Sequence, residues 1–304
     1  MSGTQDVVGI ESPVVALLMP FREGGAIDFA ALGDYLDMVD AAGVRTVLVN
    51  GTTGEFSSLT LAERRGVLEF CRGRWRGRLI AHVGAPAVGD VVELIAHGND
   101  LADALAVIAP YFFAAPTEAG VEAFFAQVLG SARKPVLLYS FPRHTQTVLS
   151  PEMVARLAAE FPLMCGVKDS GKDLTVSQGY KQQTPRLQVF LGDDRVGVRV
   201  RELRLDGVVT GAGGPVAELP VAIAAAVRAG DGQSAQQWQR LFDRYTDHRK
   251  TSGLSDIAFA KAATAARLPG FPAYVRPPLV AASGHRHPDI TRTVRDTLDA
   301  FQRR

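Results

Sequence analysis

Short apolar runs recur along the chain, and longer stretches in which apolar residues return every three or four positions lie between them. The runs are PVVALL (13–18), TVLVN (46–50), LIAHVG (79–84), LAVIAP (105–110), PVLLYSFP (135–142), LMCGVKD (163–169), LQVFLGDD (187–194) and DGVVTGAGG (206–214). Each is apolar on both faces and bounded by glycine, proline or polar residues, the pattern of a strand covered on both sides. The periodic stretches read as helices with recognisable ends. Asp28 caps one that stops at Gly43, Thr60 opens another to about Arg74, residues 91–103 and 118–131 give two more, and Ser150-Pro151 starts a further one that ends near Phe161. Serine at the cap followed by proline suits a helix start, because the first turn has no use for a proline amide.

Eight apolar runs alternating with eight helices predict a parallel sheet with crossover helices, and eight such units suit a closed (β/α)8 TIM barrel better than an open doubly wound sheet. Beyond Gly230 the alternation ceases. Residues 235–249, 255–268 and 288–301 read as helices without strands between them, and Pro269, Pro272, Pro277 and Pro278 break up the rest. The expected organisation is a catalytic barrel over residues 1–230 and a C-terminal helical region over 231–304, with no internal repeat.

Composition narrows the function. A chain of 304 residues with 47% hydrophobic content buries a large core. Its net charge of +1 is dispersed and offers no basic field for nucleic acid. No basic leader precedes an apolar stretch and no apolar segment is long enough to cross a bilayer, so a cytoplasmic protein without membrane contact is expected. Cys71 and Cys165 form no CxxC and do not sit among histidines at metal-ligand spacing, which favours core thiols over a disulfide or a metal site.

The chemistry of such a barrel lies at the C-terminal ends of the strands. One apolar run ends there in Lys168. Burial disfavours the ammonium form of a lysine, and only the neutral amine attacks a carbonyl, so a lysine in this position suits Schiff-base chemistry. Around the same mouth fall Gly51-Thr52-Thr53-Gly54-Glu55, Tyr111, Tyr139, Gly192-Asp193-Asp194 and Thr210-Gly211. The GTTGE loop offers backbone amides and two hydroxyls that suit a small carboxylate. It lacks the GK[ST] ending of a phosphate loop, and a plain polar loop capping the next helix is the bland alternative. Tyr139 is placed to move a proton, or is an ordinary half-wet barrel tyrosine. The glycines at 211–214 either hold a phosphate or let a small ligand approach the backbone; with no basic residue among them, the second is favoured.

Taken together and in this order, GTTGE after the second strand, Tyr139-Ser140-Phe141-Pro142 and GVKDS around Lys168 resemble the dihydrodipicolinate synthase and N-acetylneuraminate lyase family, over nearly the whole chain. The resemblance implies a homo-oligomer, a tetramer or dimer, that forms or breaks a carbon–carbon bond to pyruvate through an imine on the strand-six lysine. It implies no metal and no organic cofactor. By matching positions Lys168 is the imine-forming residue, Tyr139 the proton relay, and Thr52 and Thr53 hydroxyls that bind the carboxylate and join the relay. Gly51, Gly192 and Val209 fall in the pyruvate pocket, and Arg143 and His144 at the distal end of the substrate. Two positions depart from the dihydrodipicolinate synthases: Phe112 stands where a second tyrosine relays a proton, and His144 where an arginine binds the second substrate. The expected function is therefore aldol cleavage of a 2-oxo acid to pyruvate and an aldehyde, on a 2-keto-3-deoxy sugar acid or a 4-hydroxy-2-oxoglutarate type of substrate. A dehydratase of the same family, dihydrodipicolinate synthase itself and a non-catalytic 2-oxo acid sensor are the alternatives.

Overall fold

The computed structural model describes residues 9–113, 115–284 and 287–303. Eight strands, β1 (Val14–Ala16), β2 (Thr46–Val49), β3 (Arg78–His82), β4 (Ala104–Ile108), β5 (Val136–Ser140), β6 (Met164–Asp169), β7 (Gln188–Leu191) and β8 (Gly207–Thr210), pair in parallel in sequence order and close into a barrel through β1 and β8. The (β/α)8 architecture expected from the apolar runs is the one observed. Its core has two layers, as strands covered on both faces require. Val14, Ala16, Leu48, Ile80, Leu137, Cys165 and Phe190 fill the barrel interior, whereas Val15, Val47, Val107, Leu138 and Val189 pack outward beneath the helices.

The surrounding helices are α1 (Phe29–Ala41), α2 (Leu61–Arg74), α3 (Val88–Leu101), α4 (Glu118–Gly130), the single turn α5 (Pro142–Thr145), α6 (Pro151–Glu160), α7 (Leu174–Gln183) and α8 (Glu218–Ala229). Their starts follow local chemistry. Asp28 accepts from the Ala31 amide, Ser150 from that of Met153, and Thr60 with Glu63 forms a reciprocal capping box. One crossover departs from the expected alternation: after β7 the chain makes only a 3-10 segment, Asp194–Arg199, opened by Asp193, whose side chain accepts from the Arg195 amide.

Three further helices, α9 (Gly232–Thr251), α10 (Asp256–Arg267) and α11 (His287–Gln302), follow the barrel. Leu241, Phe242 and Tyr245 of α9 join Phe259 of α10, Ile290 and Val294 of α11, and Leu219 and Ile223 of α8 in one apolar cluster. Cys71 and Cys165 are free and buried, with burial pushing both thiols up to about 12. No helix among the described residues is long and apolar enough to cross a membrane.

Candidate active site

The position of Lys168 depends on an irregularity in β6. Val136 of β5 pairs with Met164, but Leu137 pairs with Gly166, so Cys165 is an extra residue on the β6 side. A strand alternates faces, and one inserted residue resets which face the following side chains take. Downstream of it Val167 points outward with Leu138, while Lys168 lies beside Tyr139, its register partner. Paired in regular register, the same residues would set Lys168 opposite Ser140 and turn it into the helix layer.

Both side chains are almost fully buried, Lys168 at 5% exposure and Tyr139 at 1%. The Lys168 amine sits over the tyrosine ring, 3.8 Å from its centroid. The Tyr139 hydroxyl is 3.3 Å from the Thr52 hydroxyl. Behind the tyrosine, His82 packs edge-on at 6.0 Å and donates through Nδ1 to the Asn50 carbonyl at 2.9 Å. Burial, aided by Arg64 and Lys168, holds its pKa well below the usual range, so this ring is a neutral support.

These groups open into a cavity of about 590 Å³ at the C-terminal end of the barrel. Lys168, Tyr139, Thr52, Thr53, Arg143, His144, Gly192 and Val209 all line it. Gly51 does not line the cavity: its carbonyl turns into the loop and accepts from the Gly54 and Phe56 amides at 3.0 and 3.3 Å. It shapes the turn that carries the threonines. The bland alternative for GTTGE also falls, since Thr60 and Glu63 cap α2 and leave Thr52 and Thr53 facing the cavity. Close approach explains two glycines. A Cβ at Gly192 would lie 2.1 Å from the Ser170 hydroxyl, and one at Gly211 would lie 2.5 Å from that of Thr53. The glycines that follow β7 and β8 thus meet side chains of the site itself.

The threonine loop is fixed from behind by a buried ion pair. Glu55, in a left-handed conformation, meets the fully buried Lys261 of α10 at 2.5 Å and accepts from the Arg276 amide at 3.0 Å. Lys261 also donates to the Tyr274 carbonyl at 2.6 Å, and burial lowers its pKa to about 8 against the pull of Glu55. Asp169 does similar work after β6, accepting from Ser177 at 2.6 Å and from the Gly171 amide at 2.8 Å.

Several cavity residues were not evident in the sequence. Arg249 and Lys250 at the end of α9, and Ser255, Asp256 and Ile257 at the start of α10, form one wall. The only local hint was the Ser255 cap and the basic end of α9. The residues that follow β4 lie elsewhere. Tyr111 is half-buried against Phe56, ring centroids 6.1 Å apart, and Phe112 projects outward at 88% exposure. Neither lines the cavity.

A model of the dihydrodipicolinate synthetase family matches residues 10–297. The chain is 32% identical over 286 residues to 4-hydroxy-tetrahydrodipicolinate synthase 1 of Streptomyces coelicolor, covering 93% of this chain and 92% of that protein. It is 28% identical over 247 residues to the 2-dehydro-3-deoxy-D-gluconate/2-dehydro-3-deoxy-phosphogluconate aldolase of Thermoproteus tenax, covering 81% and 79%. The crystal structure of dihydrodipicolinate synthase from Aquifex aeolicus superimposes with a TM-score of 0.85 at 26% identity, over 96% of this chain and 98% of that one.

Proposed function

The chain belongs to the dihydrodipicolinate synthetase family of Schiff-base lyases, and on that premise we propose that it cleaves a 4-hydroxy-2-oxo acid to pyruvate and an aldehyde. The observation that carries this reading is the stacking of the Lys168 amine on Tyr139, whose hydroxyl contacts Thr52. The amine attacks C2 of the substrate, water leaves, and the protonated imine becomes the electron sink, the part a bound cofactor would otherwise play. Thr53 and the loop amides hold the adjacent carboxylate. Tyr139 takes the 4-hydroxyl proton as the C3–C4 bond breaks, the aldehyde departs, and Thr52 relays the proton. The enamine is then protonated at C3 and hydrolysed, which restores the amine.

The T. tenax relative is named for 2-dehydro-3-deoxy-gluconate and its phosphorylated form, which supports the cleavage of sugar acids. Dihydrodipicolinate synthase is the second reading, favoured by the name of the S. coelicolor relative. Against it stand Phe112, which carries no hydroxyl, and His144 in the distal position.

Incubation with pyruvate and borohydride, followed by mass measurement, tests the first step. One reduced adduct on Lys168 is expected, and none in Lys168→Ala. Tyr139→Phe is expected to keep part of the adduct while turnover of 4-hydroxy-2-oxo acids falls by about 100-fold or more, the range for a lost general base. Absence of an adduct leaves a binding protein for 2-oxo acids; rapid condensation of pyruvate with aspartate semialdehyde, without cleavage of any 4-hydroxy-2-oxo acid, establishes the synthase instead.

A further inference from the structure

The crossover after β7 leaves room beside the barrel. A 3-10 segment is thinner than an α-helix, and where residues 194–199 take that form a cavity of about 660 Å³ lies between them, β8 and α8. It is larger than the active-site cavity of about 590 Å³. Val208, which points outward from β8, joins Val200, Leu205, Ile223, Val227 and Phe242 in an apolar lining. That size and that lining are the usual make-up of a small-molecule pocket.

Most polar groups of the lining are engaged. Ser12 Oγ accepts from the Val208 amide at 3.0 Å, Asp206 pairs with Lys181 at 2.9 Å, and Arg228 donates to the Ser12 carbonyl at 2.9 Å. Glu11, Arg201 and Arg228 are exposed to water, which screens them. The buried end differs. Asp194 Oδ1 is buried without a donor among the described residues, and the neighbouring Arg249 guanidinium is already paired with Asp256. Gln239, 4% exposed, commits its Nε2 to the Asp194 carbonyl and to Asp243 Oδ1, each at 2.9 Å, and its Oε1 is buried without a donor as well. That oxygen faces the same end. A Cβ at Gly197 would lie 3.0 Å from it and 3.2 Å from the Ile223 side chain, and Gly197 and Ile223 both line the cavity.

Two buried acceptors that lack donors, one of them a carboxylate, stand at the head of an apolar cavity. Their complement is an apolar body whose head carries N–H groups and positive charge. A neutral hydrocarbon would leave both oxygens unsatisfied, and an anion would meet the carboxylate directly. Asp194 is also a wall of the active-site cavity, and Thr210, which lies beside it, follows Val209 on β8. We propose that the side cavity is an effector site for an alkyl cation with N–H donors, held by Asp194 and Gln239, whose occupancy reaches the active site through the shared aspartate.

Hexylguanidinium serves as the probe, because it carries such a head and does not condense with 2-oxo acids. Calorimetric titration is expected to show it binding about 10-fold to 100-fold more tightly than hexanol or hexanoate, the margin of a charge-assisted hydrogen bond. Asp194→Asn keeps the side-chain shape and is expected to weaken that binding by about 10-fold. Ala224→Trp, which fills the cavity from α8, is expected to abolish it with the thermal transition retained. Saturating probe is expected to shift the apparent affinity for pyruvate, read by borohydride trapping, by about 5-fold or more, and to leave it unmoved in Ala224→Trp. Absence of binding, equal affinity for the three hexyl compounds, or affinity unchanged in Asp194→Asn overturns the site. Binding that leaves trapping unchanged overturns its effector role. No adduct with or without the probe defeats the imine reading instead, and the calorimetry then decides the site by itself.

Discussion

Asp194 and Lys168 both carry ionisable groups taken out of water at the barrel mouth. Burial pushes the Asp194 carboxyl up to about 6, outweighing the Thr210 hydroxyl and the Arg249 guanidinium. Its Oδ1 is buried without a partner. A value in the folded chain above the ordinary 3.8 means that the folded state binds more protons than the unfolded one between those limits. The favourable contribution is complete below 3.8 and is lost as pH rises through about 6. Asp194→Asn, neutral at every pH, is expected to stabilise the protein by about 1 to 3 kcal/mol near pH 7.5 and by little near pH 4, read from urea unfolding at both. An equal gain at the two pH values would mean a packing effect. The two residues differ in visibility: Lys168 interrupts an apolar run and stands out, whereas Asp194 was legible only as one of two aspartates expected at the mouth, with nothing local to say that its carboxyl is buried.

At the scale of elements, the strands and helix starts were legible because period and capping are local. The apolar runs give the eight strands, and Asp28, Thr60 and Ser150 mark the helices they were expected to mark. The extra residue in β6 was not legible, since Cys165 is as apolar as its neighbours and only pairing with β5 reveals it. The Glu55–Lys261 pair was hidden for the same reason: its halves are distant in sequence, and GTTGE alone does not say that its glutamate faces away from the ligand. That pair couples the threonine loop to α10, with the fully buried ammonium depending on one carboxylate. Glu55→Gln leaves the cation buried without its counter-charge, an arrangement that costs about 3 to 5 kcal/mol. The expected result is a lower Tm together with a higher KM for the 2-oxo acid, as Thr52 and Thr53 lose their support. Glu55→Gln/Lys261→Met is expected to regain much of the Tm. A Tm loss with KM unchanged would separate the pair from the loop.

For the whole molecule, the sequence placed the barrel correctly but not the reach of its tail, because which surface a helix covers depends on apolar partners spread over α8 to α11. The tail helices contribute one wall of the cavity, so the mouth is completed only when the end of the chain is in place. A different surface remains uncovered. Phe112 and Phe113, after β4, stand at 88% and 76% exposure with rings edge to face at 5.8 Å, and Phe112 adopts φ of 90°, a conformation a bulky residue avoids. Single exposed apolar residues are common, but two adjacent aromatics held outward at a conformational cost fit a contact between chains. We therefore propose that the protein is a homo-oligomer in which this pair is covered by a second copy. Sedimentation velocity at about 10 μM is expected to give a species larger than one chain, and Phe112→Ser/Phe113→Ser to shift it toward smaller species, because replacing buried aromatics removes the residues that dominate interfaces. A wild-type protein that sediments as a single chain, or an assembly that the double variant leaves intact, would remove the pair from any such contact.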